Sequence, residues 1–133
     1  MSNEALSQCA YYSTLANGYG ASCVGAIIKV ARAFNAAHGI TGVLLFDGER
    51  FFQYIEGEPA TLDALVKRIR QDVRHKEMTI LLHSPLYGGR HYPSWSMAYS
   101  DANEDAIIDQ MIDDKRRDPL ALLKDRHWML DVG

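Results

Sequence analysis

The spacing of apolar and polar positions changes period several times along this chain, and each change marks the boundary of an element. Residues 8–14, QCAYYST, form a short aromatic-rich run followed by Ala16-Asn17-Gly18-Tyr19-Gly20, which predicts a strand ending in a flexible loop. From Ser22, a residue type suited to an N-cap, Val24, Ile27, Ile28, Ala31, Phe34 and Asn35 recur at helical spacing until His38-Gly39 closes the segment. Ile40 to Phe46 and Phe51 to Glu56 then flank Asp47-Gly48-Glu49-Arg50, a compact hairpin signal. Pro59 suits the first turn of a second helix, whose apolar face carries Leu62, Leu65, Val66, Ile69 and Val73. Met78 to Leu82 and Trp95 to Tyr99 predict two further strands, separated by a loop from Pro85 to Pro93. Beyond Asp101, residues Asn103 to Asp114 are acidic with Ala106, Ile107, Ile108, Met111 and Ile112 among them, and Asp118-Pro119 opens a short helix through Lys124.

The order βαββαββ favours an α+β sandwich of ferredoxin-like type, a five-stranded mixed sheet with both main helices on one face and C-terminal helices besides. Strand alternation sorts the side chains: Tyr11 and Ser13 toward the helices, Tyr12 away, with Phe51, Gln53 and Ile55 inward and Phe52 and Tyr54 on the far side. An apolar far face needs a cover, and the C-terminal helices or a second subunit are available. That is a reason to expect the tail to dock on the sheet or the chain to form a homo-oligomer.

With 133 residues, 47% of them hydrophobic, one domain with its own core is expected. A formal charge of -3 and no Lys/Arg stripe argue against nucleic acid as a direct partner. Cys9 and Cys23 have neither disulfide-scaffold nor zinc-site spacing, so a reducing, cytoplasmic setting is expected. The start MSNEALSQCAYY lacks a leader pattern and no apolar run is long enough for a bilayer, which predicts neither export nor membrane insertion.

Several polar residues fall at inward positions. An unpaired buried amide such as Gln53 would cost roughly 1–3 kcal/mol per group, so it needs a partner. From spacing alone the favoured partner is neighbouring backbone or a sheet edge. Tyr11 reads as core with one satisfied hydroxyl, and Asn35 as a residue capping its own helix. Arg68 and Asp72 stand four apart as a helix-surface pair, with Arg74 and His75 at the helix end. Trp95 and Met97 alternate onto one face of the last strand. No catalytic triad, metal cluster, Walker loop or dinucleotide-binding glycine pattern is present, so neither an enzyme nor a metal site is predicted.

Taken in order, the set says more. Tyr11-Tyr12-Ser13, the stretch from Asn35 to Gly42 (N-x-x-x-G-I-T-G), the stretch from Phe51 to Glu58 (F-x-Q-x-x-E-G-E), Asp72-Val73-Arg74-His75 and Trp95-Ser96-Met97 together closely resemble the BLUF family, the sensors of blue light using FAD. The resemblance runs from about residue 8 to residue 100. It implies a flavin-binding photosensor domain over 1–101, with 102–133 a helical extension packed on it or at an oligomer interface. It also implies that Tyr11 is the photoactive tyrosine, Gln53 the switching glutamine, and Trp95 and Met97 the pair proposed to exchange places beside it. Asn35 resembles the asparagine at the flavin's pyrimidine edge. Arg68 and Asp72 match residues at its polar edge or ribityl chain, Arg74 and His75 residues toward the phosphate, and Ile27, Ile28 and Ile69 apolar contacts. Phe34 departs from the family, many members of which carry a second polar residue there. Nothing in the motifs need grip an adenine, so FMN or riboflavin would suit the same residues as FAD.

The implied function is a blue-light receptor that signals to an unidentified partner protein, with Phe52, Tyr54 and the tail helices as candidate contact surfaces. Two alternatives remain at this point. One is a flavin-binding interaction module without a photocycle. The other is a small acylphosphatase-type hydrolase, which would need an anion-binding arginine loop, whereas Ser13 to Ser22 holds no Arg or Lys.

Overall fold

The computed structural model describes residues 5–20, 22–102, 106–113, 118–124, 126 and 128. β1 (Leu6–Leu15) leads into α1 (Ser22–His38), followed by the hairpin β2 (Thr41–Phe46) and β3 (Arg50–Gly57), then α2 (Pro59–Gln71), β4 (His75–Leu86) and β5 (Ala98–Asp101). Two short helices follow, α3 (Ile107–Asp113) and α4 (Pro119–Leu122). The sheet order is β4-β1-β3-β2-β5, antiparallel except for the β2–β5 pair, which makes the expected ferredoxin-like mixed sheet of five strands.

Local chemistry explains the boundaries. α1 begins at Ser22 itself and ends where Gly39 takes φ +68°, so that the Ile40 amide reaches back to the Asn35 carbonyl at 3.0 Å. In the hairpin turn, Asp47 Oδ1 accepts from the amides of Glu49 (3.0 Å) and Arg50 (2.6 Å). Glu58 caps α2, its carboxylate accepting the amides of Ala60 and Thr61, with Pro59 following. At the other end Asp72 has left the helix (ψ 121°), and its carboxylate takes the Arg74 amide at 2.9 Å and guanidinium at 2.6 Å. The expected Arg68–Asp72 pair is therefore not the one formed, because the four-residue spacing brings side chains together only where the helix continues.

Two strands differ from expectation. β4 runs from His75 to Leu86, not Met78 to Leu82, and includes Pro85, placed by sequence in a loop. As an edge strand it pairs only with β1, where a missing N–H is tolerated. Two register shifts, one beside Glu77 at φ +56°, obscure its alternation. β5 starts at Ala98, so residues 95–97 precede the strand rather than belong to it.

Each face of the sheet has its own core. Cys9, Leu44, Phe51 and Ile55 pack with Val24 of α1 and with Leu62, Leu65 and Val66 of α2. On the far face Val43, Leu45, Phe52 and Tyr54 meet Ile107, Ile108 and Met111 of α3 and Leu123 after α4. The apolar far face is thus covered from within the chain. Phe52 and Tyr54 are fully buried, which removes them as contact surfaces. Arg50 adds an ion pair to Asp109 of α3 at 2.8 Å. The parts of the expected tail helices at 103–105 and 114–117 lie outside the described residues. Among the described residues no helix is long and apolar enough to cross a membrane.

Gly42 is where β2 comes closest to β3: a Cβ there would lie 2.0 Å from the Tyr54 carbonyl oxygen. Gly42→Ala is expected to cost about 3 kcal/mol in denaturant unfolding, since backbone rather than a side chain must yield. The hydrogen bonds from Arg74 hold the Asp72 carboxyl below its ordinary range. Its stabilising contribution is therefore full above the unfolded value of about 3.9 and lost as pH falls through the lower folded value. Asp72→Asn should unfold more readily than the wild type at pH 7, and urea titrations should show that gap closing in acid.

Candidate functional site

The antiparallel register of β1 and β3 sets Tyr11 directly opposite Gln53, both on the helix side of the sheet. Tyr11 Oη donates to Gln53 Oε1 at 2.5 Å, and both residues are buried. Burial raises the Tyr11 phenol well above its ordinary value, so it remains a protonated donor. That fixes the carboxamide: its oxygen faces Tyr11, and its nitrogen is directed at Met97 Sδ, 3.8 Å away. A thioether is a weak acceptor, which leaves much of the amide's donor strength for a better one.

Above this pair α1 and α2 form the walls of a cleft. Ile27, Val30, Ala31 and Phe34 share one stripe of α1, while Leu65, Arg68 and Ile69 come from α2 and Leu44 and Phe51 join the floor. Asn35, Asp72, Arg74 and His75 complete the lining. The enclosed cavity amounts to about 160 Å³ and opens to solvent at its mouth. His75 braces the floor, its Nδ1 2.8 Å from Ser13 Oγ and its Nε2 donating to the Ile69 carbonyl. Arg68 lies over the Phe34 ring, 4.6 Å from its centroid, and His38 stacks on the same ring at 4.0 Å. Broad apolar walls with carboxamides of Gln53 and Asn35 in the lining suit a planar heterocycle bearing acceptors on its edge. Both cysteines are free thiols, and burial pushes Cys9 up to about 12, so it stays protonated near neutral pH. Among the described residues no group of His, Cys, Asp and Glu could hold a metal ion.

Of the residues singled out in the sequence, Tyr11, Ile27, Asn35, Gln53, Arg68, Ile69, Asp72, Arg74 and His75 line this one cleft. Ile28 instead packs against the helix-side core. Trp95 and Met97 part company. Met97 is fully buried on the helix side, whereas Trp95 packs on the far side with Tyr92 (5.6 Å) and Trp128 (6.4 Å). Alternation places two residues on one face only in a strand, and 95–97 is not one. Asn35 does not cap its own helix; its Nδ2 donates to the Ser96 carbonyl at 2.7 Å.

Phe34, the residue that departs from the family pattern, lines the cleft too, and so do Val30, Ala31, Leu44, Phe51 and Leu65, which were not singled out as contacts. Their signal was available: Val30, Ala31 and Phe34 follow Ile27 at helical spacing, Phe51 lies two before Gln53, and Leu44 is its β2 partner.

Comparison with known proteins identifies the family. Residues 6–98 match the sequence model of BLUF, described as sensors of blue-light using FAD. Photoactivated adenylate cyclase subunit beta of Euglena gracilis is 37% identical over 79 residues, which are 59% of this chain and 9% of that protein. This chain thus spans a small part of such relatives. The dark-state structure of BlrB, a BLUF protein, superposes with a TM-score of 0.77 at 28% identity, covering 90% of this chain and 92% of that one. A bacterial light-regulated adenylyl cyclase superposes with a TM-score of 0.71 at 31% identity, covering 80% of this chain and 32% of that one. Matched from residue 6 to residue 98, this chain belongs to the BLUF family, the sensors of blue light using FAD.

Proposed function

We propose that the cleft between α1 and α2 receives the ring system of the flavin, and that Tyr11 and Gln53 turn absorbed blue light into an altered hydrogen-bond pattern passed on to another protein. The observation that carries this reading is the 2.5 Å bond from Tyr11 to a glutamine whose nitrogen has, among the described residues, a thioether as its hydrogen-bond partner. The lining fits the group: Ile27, Phe34 and Ile69 offer apolar surface to its rings, and Asn35 and Gln53 offer carboxamides to its polar edge. Arg68 and Arg74 would hold its side chain. Arg74 is already paired with Asp72, so its charge is partly neutralised.

When bound, a flavin supplies a strong oxidant on excitation and acceptor atoms along its edge. Tyr11 is the electron and proton source within the chain. Its proton already lies on the bond to Gln53 Oε1, and a phenol that loses an electron gives up that proton readily. Gln53 can then exchange its donor and acceptor ends by rotation or tautomerisation, since a carboxamide carries both. When the electron and proton return to Tyr11, atoms and charges balance, and what differs is the hydrogen-bond pattern around Gln53. Met97 is the first residue to register this, because an oxygen turned toward its sulfur cannot donate. From Met97 the change enters β5, which follows directly. The names of the cyclase relatives join light to an effector activity; here the effector is a partner contacted through the tail helices.

Purified protein is expected to be yellow, with a spectrum that blue light shifts reversibly to the red. A colourless preparation that takes up no added flavin would overturn the proposal, and a yellow one indifferent to light would favour a flavin-binding module without a photocycle. Tyr11→Phe should keep the flavin and lose the shift, read from difference spectra before and after illumination.

A further inference from the structure

Glu56 is fully buried yet belongs to neither the cleft nor a surface ion pair. It lies on the far side of β3, and its carboxylate accepts from Tyr54 Oη at 2.8 Å, the Tyr92 amide at 2.7 Å, the His91 amide at 3.1 Å and, more weakly, Thr41 Oγ1 at 3.4 Å. Arg90 donates to the Glu56 carbonyl at 3.1 Å and to Thr41 Oγ1 at 2.9 Å rather than to the carboxylate. Burial and the bond to Glu56 raise the Tyr54 phenol, which keeps it a donor. Taking a carboxylate out of water is costly unless its oxygens are well paired, and an apolar side chain would fill the space with no such cost. What an apolar residue would not supply is two acceptors for consecutive loop amides.

Those amides open the segment that ends beside the photoactive pair. Tyr92 stacks on Trp95. The next three carbonyls are each held from a different direction: Trp95 by the Gly42 amide at 3.0 Å, Ser96 by Asn35 at 2.7 Å and Met97 by Arg32 Nε at 2.9 Å. Glu56 fixes where the segment starts, and α1 and β2 fix where it ends. We propose that Glu56 is a positioning residue for the light response, holding the segment 91–97 so that the Met97 thioether stays against the Gln53 carboxamide. This rests on the reading of Tyr11, Gln53 and Met97 given above. With the segment loosened, Met97 yields space and the carboxamide turns back more easily.

The test compares wild type, Glu56→Gln, Met97→Ala and the double variant, each with flavin bound. Glu56→Gln keeps the shape but turns an N–H toward groups that are themselves donors. It should retain flavin, dark spectrum and red shift, speed hydrogen exchange at the His91 and Tyr92 amides, and accelerate dark recovery about tenfold. Met97→Ala should also accelerate recovery, and adding Glu56→Gln to it should change nothing further. A purely structural Glu56 would instead lower the melting temperature with recovery unmoved, or multiply the effect of Met97→Ala; either result overturns the proposal, as does a slowed recovery. Should Glu56→Gln not fold, Tyr54→Phe, which removes one donor to the carboxylate, takes its place with the same expectation. A wild-type protein without a red shift overturns the photochemical reading itself and this one with it, whereas a normal wild-type shift with unaltered variants overturns only the role of Glu56.

Discussion

The hydrogen bond between Tyr11 and Gln53 exists because two antiparallel strands place these residues face to face, and that register is the constraint on which the site depends. Strand side chains alternate, so a slip of one residue in β1 or β3 would move the phenol or the carboxamide to the opposite side of the sheet. The hydrophobic pattern forbids it, since the same slip would bury the wrong half of Phe51-Phe52-Gln53-Tyr54-Ile55. Close contact of β2 at Gly42 adds a second check, because the strands approach too tightly there for any side chain. A carboxamide is thus held against a phenol by a stiff frame.

The same sheet separates two jobs. Its helix side carries a cleft, which forgoes packing between α1 and α2, while its far side is filled by α3 and Leu123. Burial of Phe52, Tyr54, Ile108 and Met111 supplies cohesion that the helix side gives up. Glu56 and Gln53 lie three residues apart on β3 yet serve opposite sides, one tied to a loop and the other to the cleft. A change at one face therefore has a short route to the other through a strand both share.

Much of this was legible in the sequence, for a physical reason: β1, α1, the hairpin and α2 are regular elements with one buried face, so their periodicity is plain. The ordered motifs then gathered Tyr11, Asn35, Gln53 and His75 into one place. What escaped detection depended on partners remote in sequence. Residues 95–97 look like a strand because they alternate, but Asn35, Gly42 and Arg32 hold their carbonyls, and no local pattern announces that. Glu56 is plain in the motif from Phe51 to Glu58, whereas its amide donors lie 35 and 36 residues further on. Asp72 turned to Arg74 because the helix had ended one residue earlier.

The irregularity of β4 bears on how copies of this chain can meet. A long strand at the margin of a sheet is an invitation to pair with its own kind, edge to edge. Here that margin is bent by two bulges, interrupted by Pro85, and studded with exposed Lys76, Glu77 and His83. Such a margin disfavours strand-on-strand joining, the usual first step toward fibres. A second copy of this chain would find little on β4 to which a strand could be added.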